Sequence, residues 1–196
     1  MKEPATANLT DRIARRVRDL RAASELSLDD LARHCGVSRS MISLIERGES
    51  SPTAVILEKL ATGLNVSLAS LFDAPAAPPN PLSRQADQLS WRDPESGYVR
   101  RNVSPSGVSS PIQIVEVSFP AGARVAYETG PRDPRVHQQV WVLEGTIELT
   151  VGAERHRLRA GDCLAMVLDR PLTYRNPTKK PARYAVVLST EAVSRR

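Results

Sequence analysis

Apolar residues recur at helical spacing from Leu9 to Phe72 and change to two-residue alternation beyond Pro111, so the chain reads as a helical segment followed by a sheet. The spacing predicts helices over Leu9–Ser24, Leu28–His34, Arg39–Arg47, Thr53–Leu64 and Leu68–Phe72. Ile13, Val17 and Leu20 line the inner side of the first. Leu28, Leu31 and Ala32 face one way on the second, and Ile42 and Ile45 supply the matching stripe on the third. Ser27, with Asp30 at N3, can cap the second helix, and Ser38 can cap the third. Gly36 fits the turn between them. Two short helices around a tight turn lock across a small core and leave Arg39, Ser40 and Ser43 on the open side of the later helix.

Beyond Pro111 the alternation predicts strands over Ile112–Phe119, Val140–Glu144, Ile147–Val151, Cys163–Val167 and Tyr184–Leu188. Trp91, Tyr98 and Val99 suit an opening strand or hairpin. Turns at Glu144-Gly145-Thr146 and Ala160-Gly161-Asp162 separate the runs. Short strands with glycine turns suggest a closed or sandwiched antiparallel sheet whose interior holds a cavity for a small ligand. Between the two patterns, Ala74 to Pro81 carries four prolines in eight residues and reads as a linker. The expected domains are residues 9–73, a linker and lead-in over 74–90, and a sensing domain over 91–190, whose extended sheet offers more area for a dimer surface than the compact helical part.

Charge changes the picture by subtraction. Through Asp73 there are ten Lys or Arg and ten Asp or Glu, so the net +5 of the 196-residue chain comes from the remainder. Any nucleic-acid footprint in the helical part must therefore come from local placement, with Arg12, Arg15 and Arg16 available to phosphates. Two cysteines far apart, Cys35 and Cys163, make no disulfide or zinc framework, and no long apolar segment or secretory leader is visible. A reduced cytoplasm without membrane contact is the expected setting.

Leu31-Ala32, Gly36-Val37-Ser38, Ile42-Ser43, Ile45-Glu46-Arg47-Gly48, Pro52 and Leu68, Leu71 and Phe72 together resemble the Xre or phage-repressor class of helix-turn-helix domain over about Leu9 to Asp73. The resemblance implies a five-helix fold and an operator of double-stranded DNA. The N-terminal end of the later helix would enter the major groove, with Arg39, Ser40 and Ser43 as the reading patch and Arg47 and Ser38 beside it. Arg39 suits a guanine edge or a phosphate, and the serines suit backbone or base. A helical bundle that binds no nucleic acid is the plain alternative.

Pro120-Ala121-Gly122, Val140 to Gly145, Gly161-Asp162 and Tyr174-Arg175-Asn176-Pro177 resemble the two motifs of a cupin domain over about Ile112 to Ser189. The resemblance implies a C-terminal all-β cupin barrel (double-stranded β-helix, jelly-roll) joined to the N-terminal all-α helix-turn-helix bundle. The positions where such motifs place metal ligands hold Arg132, Pro134, Gln138 and Leu172, of which three cannot ligate, so no metal and no cofactor are expected. A small polar or anionic metabolite is expected instead, held by Gln138 and Tyr174 beside Val140, Val142 and Met166, with His137 and Asn176 as further hydrogen-bonding candidates. Strand alternation puts Gln138, Val140 and Val142 on one face and His137, Trp141 and Leu143 on the other. Arg124 and Arg175 offer guanidinium groups to an anion, with solvent-facing charge as the alternative.

The reading that joins these parts is a homodimeric, sequence-specific transcription regulator controlled by a metabolite, and not an enzyme. Two other readings stay open: a metal-dependent cupin enzyme fused to a DNA-binding domain, and a constitutive DNA-binding protein whose barrel only dimerises.

Overall fold

The computed structural model describes residues 5–72, 80–108, 110–130 and 135–190, with side chains from Leu9 onward. Most of the expected linker, and Arg132 and Pro134, lie outside them. The chain divides into two compact units, Met1–Asn80 and Pro81–Arg196.

In the first unit the described residues form four α-helices: α1 (Ala5–Ala23), α2 (Leu28–Cys35), α3 (Arg39–Glu46) and α4 (Ala54–Gly63). The fifth expected helix is instead a 3-10 segment over Leu68–Phe72, closed by the Ser70 N–H donating to the Ser67 carbonyl at 3.0 Å. Five residues are too few for a stable α-helix, and three-residue hydrogen bonds let Ala69, Leu71 and Phe72 turn into the core together. Ser27 and Asp30 form a reciprocal capping box at the start of α2, and Gly36, at φ 64°, ends it in the left-handed conformation. Ser38 and Thr53 cap α3 and α4. Leu31, Ile42, Ile45, Leu57 and Leu60 meet as the fully buried centre of this unit, with Ile13 and Val17 closing it from α1.

The described residues of the second unit form ten strands: β1 (Ser90–Arg92), β2 (Val99–Asn102), β3 (Ile112–Phe119), β4 (Arg124–Tyr127), β5 (Val136–Glu144), β6 (Thr146–Val151), β7 (Glu154–Arg159), β8 (Cys163–Val167), β9 (Leu172–Arg175) and β10 (Ala182–Thr190). They form a six-stranded sheet in the order β1-β2-β3-β10-β5-β8 and a four-stranded sheet in the order β4-β9-β6-β7. Both sheets are open, which corrects the expected closed barrel. Closure would require edge strands of the two sheets to hydrogen-bond, yet β1, β8, β4 and β7 each have a single partner among the described strands. The physical reason lies between the sheets. Packed side chains hold facing sheets about 10 Å apart, twice the spacing at which strands pair.

Six of the chain's eight aromatic residues fill that space. Trp91 meets Tyr98 edge-on, Tyr98 meets Phe119, Phe119 meets Tyr184, Tyr184 stacks on Tyr174 with ring centroids 5.6 Å apart, and Tyr174 meets Tyr127. The Tyr98 and Tyr127 hydroxyls, 3.2 Å apart, close the circuit. Offset and edge-to-face ring contacts of this kind each add about 0.5–1.5 kcal/mol beyond area burial.

The turns at Pro120 to Ala123, Gly145 and Gly161 carry the chain from one sheet to the other rather than joining hairpin neighbours. Gly145 sits at φ 79°, and a Cβ there would lie 2.9 Å from the Pro181 carbonyl oxygen and 3.0 Å from the Ala182 Cα. Gly122, at φ 72°, has nothing within 4 Å of the same position. Gly122→Ala should therefore show only the left-handed backbone cost of about 1–2 kcal/mol, whereas Gly145→Ala adds a backbone clash and should lose at least about 2 kcal/mol more. Urea unfolding of the two variants checks the difference, and equal losses would contradict it.

Candidate functional site

The surface of α3 is built from its base upward. Glu46, 8 % exposed, receives a two-pronged bond from Arg21 of α1, with Nε at 2.7 Å and Nη2 at 2.8 Å, while Arg21 Nη1 donates to the Leu26 carbonyl at 2.8 Å. The Glu46 carboxylate holds the Arg21 guanidinium above its ordinary pKa. Planar, bidentate geometry fixes the rotation of α3 relative to α1. This pair carries no signal in the helical spacing, since an arginine and a glutamate 25 positions apart meet only through the fold.

On the open side, Arg39 is 63 % exposed and lies 3.4 Å from Asp29 on α2. Ser40 is exposed, with its hydroxyl 3.2 Å from that of Ser38. Ser38 also accepts from the Met41 N–H at 3.3 Å, so it caps the helix. Arg47 grips Glu49 through Nε and Nη2, both at 2.8 Å, and donates from Nη1 to the half-buried Ser43 hydroxyl at 2.6 Å. The structure thus brings Arg39, Ser40 and Ser38 together at the start of α3 and ties Ser43 and Arg47 into a second group at its end. Met41, 37 % exposed, stands between them, a neighbour that the polar pattern passed over. Of the arginines expected for phosphates, Arg16 donates to the Ser70 carbonyl at 3.1 Å and Arg15 to the Asp11 carbonyl at 3.3 Å, so both already have local partners.

In the β unit, strand β5 alternates strictly: Val136, Gln138, Val140 and Val142 are buried, while His137, Gln139 and Trp141 are exposed. Gln138 Nε2 donates to the Tyr174 hydroxyl at 2.7 Å across the two sheets and lies 3.6 Å from the Met166 sulfur on β8. These three residues therefore meet, with Val140 and Val142 fully buried alongside. His137 and Asn176 do not join them. His137 lies on the outer face. Asn176, fully buried, donates to the Phe119 and Lys180 carbonyls at 3.2 and 2.8 Å and accepts from Thr178, which makes it a brace for the 176–180 loop. Tyr184, buried against Tyr174, has its hydroxyl pKa pushed well above the usual value by burial and so stays neutral.

A cleft of about 280 Å³ opens beside Met166, between β8 of one sheet and β7 of the other. Leu164, Met166 and Val151 form its apolar wall, with His156 and Arg170 at its polar side. His156 pairs with Glu154 at 3.6 Å and Arg170 with Asp169 at 2.7 Å. His156 and Arg170 were not among the expected residues; β7 is so rich in arginine that its alternation is hard to see. Arg124 and Arg175 stand opposite each other on β4 and β9 on the outer face of the small sheet, with Arg175 3.7 Å from Glu148.

The metal positions implied by the cupin motifs do not fit an ion. Gln138 is engaged with Tyr174 and Leu172 has no donor atom. Among the described residues no group of three or more His, Cys, Asp or Glu converges.

Comparison with known proteins agrees with both units. The helix-turn-helix family matches residues 17–71 and the cupin domain family residues 116–188. The HTH-type transcriptional regulator SutR of Escherichia coli (strain K12) is 31 % identical over 170 residues, covering 86 % of this chain and 89 % of that protein. The HTH-type transcriptional regulator PuuR of the same organism is 26 % identical over 165 residues, covering 83 % and 86 %. The crystal structure of an HTH_3 family transcriptional regulator from Vibrio cholerae shares the fold, with a TM-score of 0.77 at 24 % identity over 95 % of this chain and 99 % of that one. The two units define a DNA-binding helix-turn-helix regulator with an attached cupin domain. The chain belongs to the family of HTH-type transcriptional regulators.

Removing one partner of the Arg21–Glu46 pair should be more damaging than its position away from the exposed side of α3 suggests. Glu46→Ala leaves a largely buried guanidinium uncompensated and should cost about 3 kcal/mol, whereas Arg21→Met with Glu46→Leu should recover most of that loss. Thermal unfolding of the three proteins checks the order.

Proposed function

We propose that this regulator reads operator DNA as a dimer and that a small polar or anionic metabolite, bound between the two sheets of the cupin unit without an essential metal, changes its operator affinity. No helix among the described residues is long and apolar enough to cross a membrane, and the proposed setting is the cytoplasm. DNA contact is assigned to Arg39, Ser40 and Ser38 at the start of α3, with Ser43 and Arg47 following. One short helix reaches only a few bases, and two copies reading half-sites about 34–36 Å apart supply the rest of the specificity.

The observation that carries the sensing reading is the buried Gln138–Tyr174 hydrogen bond and its continuation past Met166 into the cleft. Two polar side chains that satisfy each other inside an apolar interior can exchange that bond for bonds to an entering polar ligand, so binding need not strand either one. Val140, Val142 and Met166 would then face the ligand's apolar part. A ligand that favours one dimer arrangement over another shifts the population of the DNA-binding form by its difference in affinity for the two.

Two measurements test this function. Arg39→Ala should weaken specific operator binding by about 1–3 kcal/mol while non-specific binding is retained; equal weakening on all duplexes would move Arg39 to a phosphate, and no change would remove it from the interface. Calorimetric screening for an effector, followed by titration of the Gln138→Ala, Tyr174→Phe double variant, should show affinity lost with the anchors. An effector that binds both proteins alike, or whose action vanishes on chelation and returns with a metal, would overturn the assignment.

A further inference from the structure

We infer that the outer face of the six-stranded sheet is the surface on which a second copy of this chain docks. The inference rests on the dimeric reading above and names the surface that reading leaves unassigned. The two outer faces of the sandwich are chemically opposite. On the four-stranded sheet, one register row runs Arg124, Arg175, Glu148, Arg157, and Arg155 and Arg159 flank it along β7. Five arginines against one glutamate give a face that repels its own copy and favours solvent.

The six-stranded sheet presents the reverse. Ile112 and Ile114 on β3 are 48 % and 38 % exposed, and Trp141 on β5 is 50 % exposed. Val187 on β10 lies between Ile114 and Gln139, and Ala165 and the half-buried Val167 extend the same face onto β8. Trp141 and the interior cluster divide the aromatic residues of this unit: six are inside, and the one left outside is here. A half-exposed tryptophan, here beside Ala185 and Cys163 with Gln139 and His137 further along its own strand, is the residue type that anchors protein interfaces.

Size and charge both fit a second copy. From β2 to β8 and along the outward positions of β3, the face measures about 24 Å by 20 Å, roughly 500 Å² in projection. Side-chain relief raises that toward the ~800 Å² per partner of a standard interface. One end of the face carries a chain of ion pairs, Arg101 to Glu116 at 2.7 Å, Glu116 to Arg183 at 3.4 Å and Arg183 to Glu144 at 3.2 Å. Two positive and two negative groups in alternation are self-complementary about a two-fold axis, where the same patch must meet itself.

The face also contains its own reporter. Cys163 is exposed directly opposite Trp141 in the ladder, whereas Cys35, the other cysteine, is buried. Sedimentation of the full-length chain, with iodoacetamide labelling of Cys163 over a dilution series, tests the inference. The wild type should be a dimer at micromolar concentration with slow labelling that accelerates on dilution. Trp141→Glu, and independently Ile114→Lys on another strand, should each weaken self-association at least thirtyfold and bring labelling to the monomer rate, with an unchanged far-ultraviolet circular dichroism spectrum and an unfolding midpoint equal to that of dilute wild type. A wild-type dimer that survives both substitutions with unchanged labelling would overturn this face and leave the dimeric reading standing. A wild type that stays monomeric at all concentrations would overturn both.

Discussion

The antiparallel register of β5 against β10 governs the β unit, because it decides which side of the central strands meets the other sheet. Val140 stands opposite Val186 and Trp141 opposite Ala185. A slip of one residue would turn Gln138, Val140 and Val142 outward and drive His137 and Trp141 into the aromatic interior. The stacked Tyr174 and Tyr184 rings would lose their place against the inner face, and Gln138 would lose the hydroxyl that satisfies it. The irregularity between Arg183 and Tyr184, which skips Leu143, lets the pairing reach Glu144 beside the Gly145 turn without forcing such a slip.

The same division gives the sandwich three distinct surfaces. Its interior is a ring of aromatic side chains with one amide–hydroxyl bond set into it, its small outer sheet is dominated by arginine, and its large outer sheet is apolar around Trp141. Because the sheets remain open, the interior communicates with the outside beside β8, where Met166 touches both the Gln138 amide and the cleft. A closed barrel would have sealed that side with backbone hydrogen bonds. The family resemblance and the open sheets are compatible: motif turns specify where strands reverse, whereas closure depends on edge strands coming within pairing distance.

In the helical unit, position matters more than charge. The segment through Asp73 is electrically balanced, and what sets α3 apart within it is a capped start, a buried apolar stripe and a rotation held by Arg21 and Glu46. A buried ion pair of this kind contributes orientation more than net stability, since desolvation offsets much of its attraction.

Much of this was legible in the residues alone. The caps at Ser27 and Ser38, the turn at Gly36, the strands over Ile112–Phe119 and Cys163–Val167, and the two faces of β5 follow from local hydrogen bonding and from periods of 3.6 and 2, which act within a few residues. β7 and β9 escaped because their outward arginines and threonines dilute the apolar alternation. The 3-10 form of Leu68–Phe72 escaped because length and packing outweigh its helical spacing. Only the tertiary structure decided that Gln138 would bond Tyr174, that Asn176 would brace a loop, that Arg16 would turn to Ser70, and that the sheets would stay open. Each of these depends on which distant groups arrive within about 3 Å for a hydrogen bond or about 5 Å for strand pairing, and no local pattern encodes that distance.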